Sequence, residues 1–142
     1  MRAKQYLNQY RRCKKKIARL EEQIQAHAEL CSGIAVPQMD GDRVQSSHNP
    51  DRMGEVIAKK SDLEAELMDE VVNAIDMMNE VTDTISEVEN VDYQTLLEKR
   101  YIGFKTWEVI ADEMHFSARW VLTMHGRALW EVEKIINGLA HE

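Results

Sequence analysis

Five histidines, two cysteines and a large set of carboxylates are the residues of this 142-residue chain that could do chemistry. His27, His48, His115, His125 and His141 contain no HExxH pair, and Cys13 and Cys31 show no metal-ligand spacing, so no metal is expected. Two cysteines are also too few for a disulfide framework, which points to a reduced, cytoplasmic setting. Glu113, His115 and Ser117 have the composition of a nucleophilic triad, but a single local turn between helices accounts for all three without catalysis. The carboxylates are clustered, yet no apolar pocket flanks them to separate an acid from a base. The chain is therefore read as a non-enzyme that needs no cofactor.

Composition narrows the class. With 18 Lys+Arg against 25 Asp+Glu the formal charge is -7, which taken whole argues against nucleic acid. The total hides a partition. Residues 1–31 hold eight basic residues and three acidic ones, whereas residues 61–92 hold eleven acidic residues and no Lys or Arg. The last fifty residues are close to neutral, with six basic and seven acidic side chains. Only 6 Gly and 2 Pro occur, too few for a strand-rich fold with many tight turns. No apolar run is long enough to span a membrane, and no apolar stretch follows the basic N-terminus as a secretion signal requires.

Apolar spacing supplies the elements. Tyr6, Tyr10, Cys13, Ile17, Leu20, Ile24, His27 and Cys31 follow one another at steps of four and three, and so do Leu67, Val71, Ala74, Met78, Val81, Ile85 and Val88. Each series is a heptad seam, the mark of a helix packed lengthwise on another. The first helix is expected from Arg2 to Cys31. The second is expected from Asp51, as N-cap after Pro50, to about Glu89. Between them residues 32–50, with Gly33, Pro37, Gly41 and Pro50, read as a loop. An antiparallel hairpin sets the basic start of the first helix beside the acidic end of the second. Arg11–Lys16 then form its outer and flanking face, and a grip on DNA phosphates or an acidic partner is the alternative. Two helices alone bury little, so a homodimer forming a four-helix bundle is expected.

After Asn90 the pattern changes. Asp92 can cap a short helix to about Ile102, ended by Gly103. Thr106 can cap a second, with Trp107, Ile110, Ala111 and Met114 on one stripe. Ser117 can cap a third running to Ile136, its apolar face Val121, Met124, Ala128, Leu129, Val132 and Ile136. The turn residue His115 sits where φ is often positive, and Phe116 is expected to plug the angle between the helices. The second and third helices together make a helix-turn-helix pattern.

Tyr93-Gln-Thr-Leu-Leu-Glu-Lys-Arg-Tyr101, Thr106-Trp-Glu-Val-Ile-Ala111, Phe116-Ser117 and His125-Gly-Arg-Ala-Leu129 resemble region 4 of the sigma-70 class, a promoter-reading module. The chain is closer still to small sigma-like proteins of phages and prophages of Gram-positive bacteria, related in plan to late-gene activators of the ArpU and RinA type. Gly41-Asp-Arg-Val-Gln-Ser-Ser47, with Asn49 and Asp51-Arg-Met53, looks like the hairpin-loop motif of that group. The resemblance implies a recognition helix in the DNA major groove, with Ala118, Arg119, Leu122 and Thr123 at base edges. It implies phosphate contacts from Lys105, Ser117 and Arg127, and places Trp120 on the helix shoulder near the backbone or a partner protein. This chain departs from the pattern in having only Arg119 and Arg127 as basic residues on that helix, which weakens a single copy's hold on phosphate.

These readings combine into an all-α protein with residues 1–90 as hairpin and oligomerisation region and 91–142 as sigma-like module. The function expected is a DNA-binding transcription regulator that acts on double-stranded DNA with host RNA polymerase. The alternatives are a packaging-associated subunit resembling a small terminase subunit, and an adaptor that targets polymerase without touching DNA.

Overall fold

In the computed structural model, which describes residues 2–35 and 50–138, every regular element is helical. They are α1 (Ala3–Leu7), α2 (Gln9–Ala35), α3 (Pro50–Ser86), α4 (Val91–Leu97), α5 (Trp107–Met114) and α6 (Ala118–Gly138). Between α4 and α5 the chain continues as a π-helical turn, Glu98–Ile102, in which Gly103 N–H donates to the Glu98 carbonyl at 2.9 Å. The Gly41–Ser47 motif, Asn49, His48 and His141 lie outside the described residues, as does most of the 32–50 loop. None of the helices described is long and apolar enough to cross a membrane.

The helix limits differ from those expected at five places, most of them for a local reason. The first helix is interrupted at Asn8 (φ -80, ψ -1) and runs on to Ala35, beyond Cys31. Asn is a residue whose side chain competes for nearby backbone groups. Asp51 lies inside the first turn of α3 and is not its cap, because Pro50, which needs no N–H partner, already occupies a helical position. The same helix stops at Ser86, short of Glu89. Glu87 and Val88 close a tighter turn onto the Thr84 and Ile85 carbonyls, and the Gln94 amide donates to the Ser86 carbonyl at 3.1 Å and to that of Val88. Asn90, not Asp92, caps α4, its Oδ1 accepting from the Asp92 and Tyr93 N–H groups at 2.9 and 3.2 Å. Replacing Asn90 by Ala should therefore cost about 1 kcal/mol in chemical denaturation, whereas Asp92→Ala should cost only a few tenths.

The chain divides into two compact units, residues 1–14 with 73–142, and residues 15–72. The first unit holds two apolar clusters. Ala3 and Leu7 of α1, Val81 and Ile85 of α3, Val88, Leu97, Tyr101, and Ala128 and Val132 of α6 form one. Leu96, Ile110, Ala111, Val121 and Met124 form the other. Residues at the very start of the sequence thus complete a core built mainly from its last third. Tyr6 is tied to the same unit, its hydroxyl 2.8 Å from Thr84 Oγ1, and burial raises its pKa above the ordinary phenolic value. Further along α2, Cys13 is buried and accepts from the Asn73 amide at 3.7 Å.

A second feature of this unit was not signalled by periodicity. Phe104 takes a left-handed backbone conformation (φ 56). Its ring stacks on Tyr10 at 5.5 Å between centroids, with the Arg11 guanidinium 5.1 Å from its centre. A bulky residue at positive φ is strained, and the ring contacts offset that strain. Arg11 therefore packs on an aromatic ring of the C-terminal segment and does not serve as a charge facing α3.

In the second unit Leu63 is buried and Ile17, Leu20, Ile24, His27, Leu67 and Val71 are half-buried, as seam positions should be. The His27 Nδ1–H donates to the Gln23 carbonyl at 2.8 Å, a histidine satisfied within its own helix. Lys16, Arg19, Leu20 and Gln23 of α2 line a groove opposite Glu66, Asp69 and Glu70 of α3. Opposite charges face each other there, but no ion pair within 4 Å joins Lys14, Lys15, Lys16 or Arg19 to a carboxylate among the described residues. Attraction across this groove is long-range and screened, worth less than direct pairs.

Candidate nucleic-acid interface

The last two helices meet at a turn whose geometry follows from three side chains. Thr106 Oγ1 accepts from the Val109 N–H at 3.3 Å and starts α5. His115 ends it in the left-handed region (φ 60, ψ 39), where Gly is commonest and His is among the tolerated exceptions. His115 and Phe116 N–H groups close back onto Asp112 and Ala111 carbonyls at 3.2 and 3.0 Å. Ser117 Oγ then accepts from the Trp120 N–H at 3.1 Å and starts α6. Phe116 does not plug the angle between the helices. It is exposed, because Ile110, Ala111, Val121, Met124 and Leu96 already fill that space.

Anchoring Val121 and Met124 in the core fixes what the start of α6 presents outward. Ser117, Ala118, Arg119, Trp120, Leu122 and Thr123 are all exposed, and so is Arg127 one turn on. Thr123 Oγ1 donates to the Arg119 carbonyl at 3.1 Å, which fixes its rotamer and leaves its oxygen free to accept. The Arg127 guanidinium lies 5.2 Å from the centre of the Trp120 ring, so the two side chains form one unit on the helix shoulder. Lys105 stands apart from this group. Its ammonium donates to both carboxylate oxygens of Glu113 at 2.8 and 2.9 Å, and Lys99 bonds the same carboxylate at 2.8 Å. Hydrogen bonds from these two lysines, Lys105 first, hold the Glu113 carboxyl below its ordinary pKa. Seven of the eight residues singled out by sequence therefore share α6 or its cap, and Lys105 is already paired.

Behind the exposed face lies a buried polar pair that the apolar pattern of the sequence passes over. Tyr101 Oη and His125 Nε2 are 2.7 Å apart, and Trp107 packs edge-on against the imidazole at 4.5 Å between centroids. The Arg100 guanidinium lies over the Trp107 ring, 4.3 Å from its centre, and donates to the Lys105 carbonyl at 2.9 Å. Burial first, and then the charges of Lys4 and Arg100, lower the His125 pKa to about 4. Burial likewise pushes the Tyr101 phenol up to about 12. Both groups are neutral at physiological pH, so this is a packing device that joins the π-helical turn, α5 and α6 and not an acid–base pair. The signal was present: His125 falls on the four–three spacing of Val121, Ala128 and Val132.

Among the described residues no cluster of His, Cys, Asp or Glu is arranged to hold a metal, and Cys13 and Cys31 are free thiols. Trp130 is the other residue that sequence reading passed over. It is 61% exposed, with the Lys134 ammonium 4.2 Å from its ring centre.

Comparison with curated proteins and with solved structures gives no match. Residues 33–133, most of the chain and all of α3 to α5, match one family model, and the chain belongs to that family, described as protein of unknown function (DUF1492).

Proposed function

We propose that this chain is a sigma-like, DNA-binding transcription regulator of phage or prophage origin, acting at promoters with host RNA polymerase in the bacterial cytoplasm. On this reading α2 and α3 form an antiparallel hairpin, α5 and α6 form a helix-turn-helix, and no reaction is catalysed. The observation that carries it is the start of α6. Capped by Ser117 and held from behind by Val121 and Met124, this helix turns Ala118, Arg119, Leu122 and Thr123 outward together. Arg119 is the one side chain there able to make a bidentate contact to guanine, with Thr123 able to accept from a base or touch a thymine methyl.

Phosphate contact falls to the α6 N-terminus and Arg127, since Lys105 is paired with Glu113. With so few cations, binding should be weak per copy and its salt slope shallow, roughly -2 per copy in log K against log salt. Fluorescence anisotropy with duplexes from the DNA flanking its own gene checks this. Binding at low salt with a shallow slope supports the reading, and no binding at low salt removes it. The adaptor alternative has an observation in its favour: Leu122 and Trp130 are exposed large apolar groups on α6, which suit a protein surface better than a phosphate backbone. Capture of purified RNA polymerase without DNA affinity would select it.

A further inference from the structure

The outer face of α6, opposite the side chains it buries, is indented. Thr123, Gly126, Arg127 and Trp130 stand at i, i+3, i+4 and i+7 and therefore share that face, and all four are exposed. With Tyr93 and Glu131 they line an open hollow of about 470 Å³, within the range of small-molecule sites. Its depth comes from Gly126. A glycine inside a helix costs stability relative to alanine, and nothing in the fold calls for one here. Its φ is not positive, and a side-chain carbon at that position would meet no atom within 4 Å.

The groups around the hollow are of three kinds. Trp130 offers an aromatic surface: it separates this hollow from a second one lined by Glu133, Lys134, Asn137 and Gly138, and Lys134, whose ammonium sits 4.2 Å from the ring centre, does not line the first. Arg127 offers a cation. Its guanidinium is held over Trp120 and has no ion pair among the described residues, so its charge is open to an anion. Thr123 and Glu131 offer acceptors, the hydroxyl because its proton is donated to the Arg119 carbonyl, the carboxylate with the Lys134 ammonium 3.5 Å away to offset part of its charge. An aliphatic side chain seated here would leave the guanidinium and both acceptors dry and unpaired. A nucleotide satisfies all three kinds at once, by stacking, by phosphate and by base N–H groups. We infer that this hollow is a nucleotide site, with the base against Trp130, its N–H edge toward Glu131 and Thr123, and the phosphate on Arg127. Guanine suits it best, because its ring N–H and amino group can meet one carboxylate together, whereas thymine presents a single N–H. The inference goes beyond the duplex reading and does not need it.

Equilibrium dialysis of the full chain against dGMP, dTMP and a single-stranded trinucleotide with one central guanine tests it, with helicity followed by circular dichroism. The parent should retain dGMP at millimolar concentration and dTMP more weakly. Retention of the mononucleotide identifies a free nucleotide as the source, and retention of the trinucleotide alone identifies an unpaired nucleotide of a strand. Trp130→Ala should weaken binding by about 5- to 150-fold, the range of one stacked base. Glu131→Gln should erase the preference for dGMP over dTMP. Gly126→Leu should fill the hollow and abolish retention while helicity stays equal or rises, so that its loss is not one of folding. A parent chain that retains none of the three ligands overturns the inference, and so does a Gly126→Leu variant that binds as the parent does. If the parent retains none and Gly126→Leu instead loses capture of RNA polymerase, the hollow belongs to a protein side chain and the inference fails. Duplex binding by a chain that retains no nucleotide leaves the regulator reading standing without this one.

Discussion

Lowering the pH from 7 to about 4 should cost the folded chain about 3 kcal/mol through His125 alone. The imidazole is 9% exposed and held neutral against Tyr101 and Trp107, so its pKa falls from 6.5 to about 4 on folding. In the unfolded chain it takes up a proton as the pH drops through 6.5, while the folded chain resists until about 4. Over that window the unfolded state binds more protons, and stability falls as pH falls. Below about 4 the loss is complete. Urea denaturation of the parent and of His125→Gln at pH 7.5 and 4.5 measures it, Gln keeping a polar partner for the Tyr101 hydroxyl. The variant should be less stable at pH 7.5 but show a flatter pH dependence. Equal slopes in the two proteins would mean that His125 is not buried neutral. Glu113 titrates in the same direction, but it is exposed and unchanged between the two proteins, so the comparison isolates the histidine.

The second large effect concerns recognition. Arg119→Ala should lower affinity for the preferred duplex by about 5- to 150-fold, the range of one bidentate base contact, and should flatten discrimination at one base pair. Arg119 is exposed and lies outside both apolar clusters, so the substitution should leave the denaturation midpoint unchanged. Arg119→Lys should restore only part of the affinity, because an ammonium cannot reproduce the planar fork of the guanidinium. Arg127→Ala, by contrast, should weaken binding evenly across sequences and reduce the salt slope by about one, the behaviour of a phosphate contact. A loss of the same size for every duplex on Arg119→Ala would reassign it from base to backbone.

Much of this architecture was legible in the residues because it rests on local rules. Thr106 and Ser117 cap the helices they were expected to cap, and His115 takes the left-handed turn position. The heptad seams identified the buried or half-buried residues Cys13, Leu67, Ala74, Val81 and Ile85. What escaped depends on contacts distant in sequence. Nothing around Ala3 or Leu7 shows that they complete a core with Ala128 and Val132. Phe104 holds a positive φ only because Tyr10 and Arg11 reach its ring. Phe116 was expected to plug the angle between the helices, yet Ile110, Ala111, Val121, Met124 and Leu96 fill that space. Asn90 and Asp92 are both good caps, and the choice between them is made by where α3 releases the chain. At the candidate interface, Lys105 was expected to meet phosphate, and its pairing with Glu113, eight residues later, could not be read from spacing.

The central claim is that α6 reads DNA sequence, and selection of duplexes from a randomised pool by the full-length chain at low salt tests it most directly. The account predicts enrichment of a defined motif containing a guanine whose selection disappears with Arg119→Ala while the protein stays folded. Recovery of an unbiased pool by the parent chain, or the same motif from both proteins, would contradict it.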